Sequence, residues 1–328
     1  MAKCKANILL LSLMQKKITE QTGNTRQLLA KPFLKWAGGK SQLLAVFREL
    51  YPPELAAGKI KYYYEPFLGS GAVFFDIIQQ YRLRHAYLYD INEDLVLAYT
   101  VVQQQVHALI ERLYAYQSAY LKLNGEKRSA FFYAERTVFN QQRPTIDYAR
   151  FSDKWIARAA QLIFLNRTCF NGLYRVNAKG DFNTPAGDYA NPTVCDENNL
   201  LAVSSVLAAA TIKKANYTQV KKDIKKNSFV YFDPPYRPLN KTSAFVAYST
   251  HAFMDKEQTA LRDLFAYLHQ QKHWVMLSNS DPKNKNAADN FFDDLYKDFI
   301  LQRVPAKRMI NSNASKRGII HEIVVKNY

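Results

Sequence analysis

Tyr62-Tyr63-Tyr64-Glu65-Pro66-Phe67-Leu68-Gly69-Ser70-Gly71-Ala72-Val73-Phe74-Phe75 reads as a strand, a glycine loop and the apolar start of a helix. This is the layout of the first βα turn in a doubly wound sheet. Gly69 and Gly71 permit a tight turn and a close approach of a ligand to the backbone. A dinucleotide-binding turn would place a third glycine at position 74, where this chain has Phe74. The omission speaks against a pyrophosphate packed on the helix, and so against NAD or FAD.

A second strand, Ala86-Tyr87-Leu88-Tyr89, ends in Asp90, 19 residues after Gly71. Sheets of this kind place an acid about 20 residues past the glycines to hydrogen-bond a ribose hydroxyl. The alternative for Asp90 is a cap on the following helix. A nucleoside cofactor without a diphosphate points to S-adenosylmethionine. A third aromatic and β-branched run, Phe229-Val230-Tyr231-Phe232, delivers Asp233-Pro234-Pro235-Tyr236 to its carboxyl end. Neither proline has an N–H to donate, so the loop offers acceptors followed by an aromatic face. A carboxylate, a stiffened carbonyl and a ring suit a flat heterocycle with an exocyclic amino group. A plain surface turn is the other reading of a Pro-Pro pair.

Before the glycine loop stands Lys31-Pro32-Phe33-Leu34-Lys35-Trp36-Ala37-Gly38-Gly39-Lys40. Trp36 offers an aromatic wall, the two glycines a loop, and Lys40 a cation ahead of the apolar Leu43, Leu44 and Phe47. The spacing of a Walker loop is absent. The block suits an anionic or carboxylate-bearing ligand.

The 328 residues suffice for one large domain or two smaller ones. Lys and Arg number 45 against 28 Asp and Glu, a net charge of +17, which points to a polyanion, by default nucleic acid. No apolar run approaches the ~20 residues that span a bilayer. The three cysteines, Cys4, Cys169 and Cys195, are scattered and odd in number, as suits a reducing compartment. His269 and His273 have the spacing of two zinc ligands on a helix, but no third ligand stands nearby, and no metal is expected. The first 28 residues read as a short amphipathic extension: Lys3 and Lys5 precede an apolar stretch with no cleavage site after it.

From about Val101 to Ala210 the strand–helix alternation gives way to helical spacing, as in Leu109, Leu113 and Tyr116. Phe229 restores the alternation, followed by an amphipathic stripe (Leu261, Leu264, Phe265, Leu268), a strand from Trp274 and a closing strand at residues 319–325. The fold class is therefore α/β, a doubly wound Rossmann-like sheet split by a helical insert. Within the insert, residues 170–185 form a turn-rich loop made basic by Arg167 just before it and by Arg175 and Lys179 within it, interleaved with Phe170, Tyr174 and Phe182. That composition suits either a packed hairpin or a probe of DNA, with cations for phosphate and aromatics for unstacking.

Six blocks in this order resemble the Dam-like, alpha-group N6-adenine DNA methyltransferases. They are residues 33–40, 65–71, 90–92, 166–175, 233–236, and Arg308-Met309-Ile310-Asn311-Ser312-Asn313, and the resemblance runs from about Leu29 to Tyr328. It implies an N-terminal extension (1–28), an S-adenosylmethionine-binding part (29–100), a target-recognition insert (101–210) and a second catalytic part (211–328). It implies catalysis by Asp233, Pro234, Pro235 and Tyr236, and cofactor contacts from Trp36, Lys40, Phe67, Gly69, Ser70, Gly71, Asp90 and Asp233. Phe170 would insert into the base stack and Asn171 meet the orphaned thymine. Lys35, Leu173, Arg175 and Pro185 would read the other bases of GATC. Arg167, Lys179, Arg308, Asn313 and Arg317 complete the expected DNA surface.

The expected activity is methyl transfer to the N6 amino group of an adenine flipped out of double-stranded DNA. The expected setting is the cytoplasm, with no membrane and with a cognate restriction endonuclease acting separately. Two rivals stand beside this reading. An RNA- or protein-amine methyltransferase could share the cofactor half, but glutamine-modifying relatives look like Asn-Pro-Pro-Tyr and cytosine-modifying ones like Ser-Pro-Pro-Tyr. A DNA-binding module without catalysis would not need Asp233 and Tyr236.

Overall fold

Tyr64 pairs with both Tyr87 and Val230 across neighbouring strands, and this register sets the geometry of everything that follows. The computed structural model describes residues 29–36, 38–237, 253–307 and 319–328. Among them the strands are β1 (Tyr62–Glu65), β2 (His85–Asp90), β3 (Ala210–Lys214), β4 (Ser228–Phe232), β5 (Trp274–Ser280), β6 (Ile300–Lys307) and β7 (Ile319–Lys326). They form one sheet in the order β3-β2-β1-β4-β5-β7-β6. The first five are parallel, and β7 runs antiparallel between β5 and β6. The order reverses between β1 and β4, and in such sheets ligands bind outside the carboxyl ends of the strands at that point. The loops after β1 and β4 open there, which brings residues 65–71 and 233–236 together.

Both faces of the sheet are covered because β4 is buried along its whole length. Alternate side chains split it between two apolar clusters. Phe229 and Tyr231 join one, with Tyr63, Leu88 and Met276, while Val230 and Phe232 join the other, with Val275 and Leu277. The helices, in chain order, are α1 (Leu44–Leu50), α2 (Pro53–Ala56), α3 (Ala72–Gln80), α4 (Glu93–Gln104), α5 (Val106–Leu121), α6 (Gly125–Gln142), α7 (Asp153–Thr168), α8 (Glu197–Leu207), α9 (Val220–Asp223), α10 (Asp255–Gln270) and α11 (Phe291–Leu295). The stripe Leu261, Leu264, Phe265 and Leu268 of α10 is buried in the second cluster. Since α10 ends at Gln270, His273 lies beyond it, and the two histidines do not share a helix.

The insert does not stand apart from the sheet. Leu109 and Leu113 of α5, Phe132 and Phe139 of α6, and Trp155 and Phe164 of α7 belong to the same cluster as Tyr63 and Leu88. A buried ion pair reinforces the join: Arg158 of α7 donates to Asp94 Oδ2 of α4 at 2.9 Å and to the Phe139 carbonyl at 2.8 Å. The two edges of the sheet are blunted against pairing, β3 by Lys213 and Lys214 and β6 by Pro305. Among the described residues no helix is long and apolar enough to cross a membrane.

Candidate active site

Strand β1 feeds directly into the glycine loop. Gly69 and Gly71 both adopt left-handed backbone, with φ of 47° and 66°. At Gly71 a Cβ would come within 2.7 Å of the Tyr99 hydroxyl, so this turn requires glycine twice over. At the end of β2, Asp90 accepts the Gly69 N–H at 3.1 Å and the Asn92 N–H at 2.9 Å, one on each oxygen. The cap of α4 is Asn92, whose Oδ1 accepts from Leu95 N at 3.0 Å. Asp90 is therefore not the helix cap, and its carboxylate retains acceptor capacity for a further donor. Burial holds the Asp90 carboxyl above its ordinary range, against the pull of the backbone N–H groups.

Lys40 is the centre of the site. Its side chain is 2% exposed, and Nζ lies 2.7 Å from Asp233 Oδ1, 2.8 Å from the Gly38 carbonyl and 3.2 Å from the Tyr236 hydroxyl. Glu322 of β7, which the sequence did not single out, completes the cluster. The Tyr236 hydroxyl donates to Glu322 Oε1 at 2.9 Å, and Glu322 Oε2 lies 3.7 Å from Lys40 Nζ. Burial alone would discharge Lys40, but Asp233, Tyr236 and Glu322 outweigh it and keep the ammonium charged. Burial likewise lifts Asp233 to about 6, Lys40 opposing the rise and Glu322 adding to it. Glu65, at the end of β1, is lifted to about 8 by burial, partly offset by the Tyr63 hydroxyl that donates to it at 2.7 Å. Gln258 donates to the Pro235 carbonyl at 3.2 Å and pins the loop that carries Pro234.

Aromatic rings border this cluster. Trp36 stacks on Tyr174 at 4.9 Å and 17°. Phe67 stacks on Tyr217 at 5.3 Å and 24°. Ser70, nearly buried, sits beside Gly39. The proposed cofactor contacts thus gather around the carboxyl ends of β1, β2 and β4.

Residues 170–185, expected to recognise DNA, form a short hairpin hung from the insert. Val176 bridges Phe182, Cys169 bridges Ala186, and the Asn140 side chain both donates to and accepts from the Phe182 backbone. Phe170 is 54% exposed beside Asn171, whose φ of 55° turns the chain sharply. Lys35, Asn171, Lys179 and Pro185 are also exposed, with Leu173 and Arg175 half-buried. Two aromatics read as unstacking groups are placed otherwise: Tyr174 and Phe182 are buried and belong to the core. Arg167 is turned inward as well, donating to the Phe33 carbonyl at 2.9 Å with its Nε buried. Asn166 binds the Lys35 backbone on both sides, at 2.8 and 2.9 Å, and the Gly172 carbonyl at 3.0 Å. It thereby ties the segment before Lys40 to the loop. Arg308, Asn313 and Arg317 lie outside the described residues. Among the described residues, no group of three or more His, Cys, Asp or Glu side chains could hold a metal ion.

Residues 36–310 match the family described as D12 class N6 adenine-specific DNA methyltransferase. A type II methyltransferase, M.MjaIII of Methanocaldococcus jannaschii, is 45% identical over 299 residues, covering 91% of this chain and 99% of that protein. The type II methyltransferase M1.LlaDCHI of Lactococcus lactis is 36% identical, covering 91% and 95%. A DNA adenine methylase of Haemophilus influenzae is 30% identical, covering 90% and 92%.

Proposed function

Since the chain belongs to the D12 class of N6 adenine-specific DNA methyltransferases, we propose that it methylates the adenine of GATC in double-stranded DNA, with S-adenosylmethionine as donor. The observation that carries this reading is the half-buried Asp233 carboxylate, held by Lys40 at the carboxyl end of β4 beside the glycine loop. The choice of GATC is supported by the likeness of residues 166–175 and Lys35 to GATC-methylating enzymes.

The chemistry of the donor set fits S-adenosylmethionine. The Asp90 carboxylate is an acceptor suited to ribose hydroxyls, Gly69 and Gly71 let a ligand approach the backbone, and Trp36, which lies against Gly69, and Phe67 border that turn with aromatic rings. When bound, the cofactor supplies a methyl carbon on a sulfonium whose sulfur takes the bonding pair as the methyl leaves. Asp233 and the Pro234 carbonyl accept the two N6 hydrogens of the adenine, which draws the nitrogen lone pair out of the ring and aims it at that carbon. This combines orientation with electrostatic stabilisation. As the N–C bond forms, N6 gains positive charge, which the Asp233 carboxylate offsets before accepting the departing proton. Lys40 keeps Asp233 ionised at neutral pH, as acceptance of these hydrogens requires. Tyr236 stacks on the base, which must leave the helix to be reached.

The names of the relatives support a role in a restriction–modification pair, with a cognate endonuclease acting separately. A DNA substrate and a cytoplasmic, DNA-associated setting go with it. The test is transfer of a labelled methyl group from S-adenosylmethionine to duplex DNA. Product on adenine that disappears in Asp233→Asn supports the reading, and product on cytosine or protein excludes it.

A further inference from the structure

Strand β7 alternates between the two faces of the sheet, so Ile320, Glu322 and Val324 point the same way. Val324 is buried in the core and Ile320 packs against it, which makes the place between them one for an apolar residue. The chain puts a glutamate there, 6% exposed. Among the described residues only one of its oxygens is hydrogen-bonded: Oε1 accepts from Tyr236, while Oε2 is buried without a hydrogen-bond partner among them, 3.7 Å from Lys40 Nζ. A buried carboxylate with one oxygen unbonded costs stability. Breaches of a local rule of this kind are expected at functional sites, where stability is given up for the work of the site.

We infer that Glu322 is a positioning residue of the methyl-transfer site: its carboxylate anchors the Tyr236 hydroxyl and shares Lys40 with Asp233. The inference rests on the adenine-methylating reading above. Two consequences follow from the contacts. The Tyr236 hydroxyl has a donor on one side, Lys40, and an acceptor on the other, Glu322, so the ring that stacks on the base is oriented before DNA arrives. A single ammonium also faces two carboxylates, so Lys40 is not bound to Asp233 alone, and Asp233 keeps more of its capacity to accept the N6 hydrogens. Asp233 is surrounded by Lys40 from the turn before α1, Glu65 from the end of β1, Tyr231 from β4, Ser278 from β5, Tyr236 from its own loop and Glu322 from β7. Of these, Glu322 is the carboxylate that also bonds Tyr236.

The test uses the full chain and a short duplex with one GATC, in five proteins: wild type, Glu322→Gln, Glu322→Leu, Tyr236→Phe and the double variant Glu322→Leu with Tyr236→Phe. Glu322→Gln keeps an acceptor for the phenol and removes the charge. It should leave KM for DNA near wild type, lower kcat, and shift the acid limb of the pH–rate profile downward, because Asp233 loses a like-charged neighbour. Glu322→Leu removes both contacts and should cost about tenfold or more in kcat/KM, the scale of one hydrogen bond to a charged group. Combined with Tyr236→Phe it should cost clearly less than the product of the two single losses, since both variants break the same bond. If Glu322→Leu fails to fold, the near-isosteric Glu322→Gln still decides the matter through its acid limb. An unmoved acid limb with wild-type kcat in Glu322→Gln would overturn the inference, as would fully multiplicative losses in the double variant. Absence of adenine product from the wild type would instead remove the reading on which the inference stands.

Discussion

Trp36 and Tyr174 lie in a near-parallel stack, 4.9 Å between centroids, although one precedes the glycine loop and the other belongs to the recognition hairpin. Tyr174 is buried, so the stack is a fixed joint between the part of the chain assigned to the cofactor and the part assigned to DNA. Asn166 reinforces the joint through the Lys35 and Gly172 backbones.

Loss of this joint should be felt at both ligands. Tyr174→Leu removes a stacked pair worth ~0.5–1.5 kcal/mol beyond the area it buries. Both S-adenosylmethionine affinity and discrimination between GATC and altered sites are expected to fall. Cofactor titration and methylation of paired duplexes measure the two. A variant that loses thermal stability alone would show that the stack is only packing.

In the proposed mechanism Asp233 must be ionised to accept the N6 hydrogens. Burial raises its carboxyl to about 6 in spite of Lys40, so protonation begins near neutrality instead of well below it. The methylation rate should therefore decline as pH falls through about 6, with the donor and DNA saturating. Asp233→Asn should reduce kcat severely and remove this acid limb from whatever activity remains. An acid limb that persists unchanged in Asp233→Asn would assign the titration to another group.

Glu65 affects stability in a predictable direction. Its carboxyl is raised by burial from the ordinary 4.5 to about 8 in the folded chain. A raised carboxyl binds its proton more tightly folded than unfolded, so its contribution is fully present below about 4.5 and is lost as pH climbs to about 8. Glu65→Gln cannot ionise and should show a flatter dependence of Tm on pH across that window. Parallel Tm curves for the two proteins would refute the assignment.

Arg175 is held ready in the hairpin, its Nε donating to Asn183 Oδ1 at 2.8 Å. A guanidinium can bond guanine O6 and N7 together, a geometry that lysine cannot copy. Arg175→Ala is expected to lose ~1–3 kcal/mol of discrimination at one outer G·C pair, with Arg175→Lys failing to restore it. Methylation across a library of altered GATC sites reads this directly. Uniform weakening at every site would place Arg175 on the phosphates.

Much of the candidate site is legible because its residues lie in short runs at the ends of apolar strands. The glycine loop, Asp90 and Asp233-Pro234-Pro235-Tyr236 each follow a strand that the residues alone identify, and the switch in strand order brings them together. Glu322 was not legible. It stands 86 residues after Tyr236, alone between apolar neighbours in a strand, and its contact with Tyr236 exists only through β7 reaching across to that loop. Strand β6 was missed because Pro305 and its mixed polarity hide an edge strand. Tyr174, Phe182 and Arg167 have the composition of a DNA surface, yet tertiary packing buries the two rings and turns the arginine to the Phe33 carbonyl.

Methylation of adenine N6 within GATC is tested by base-resolved mapping of methylated positions in duplex DNA treated with the protein and S-adenosylmethionine. N6-methyladenine is expected at GATC and none at sites altered in the outer pairs. Methylation confined to a different sequence would contradict the specificity. Methylated cytosine in place of adenine would contradict the roles given to Asp233, Pro234 and Tyr236.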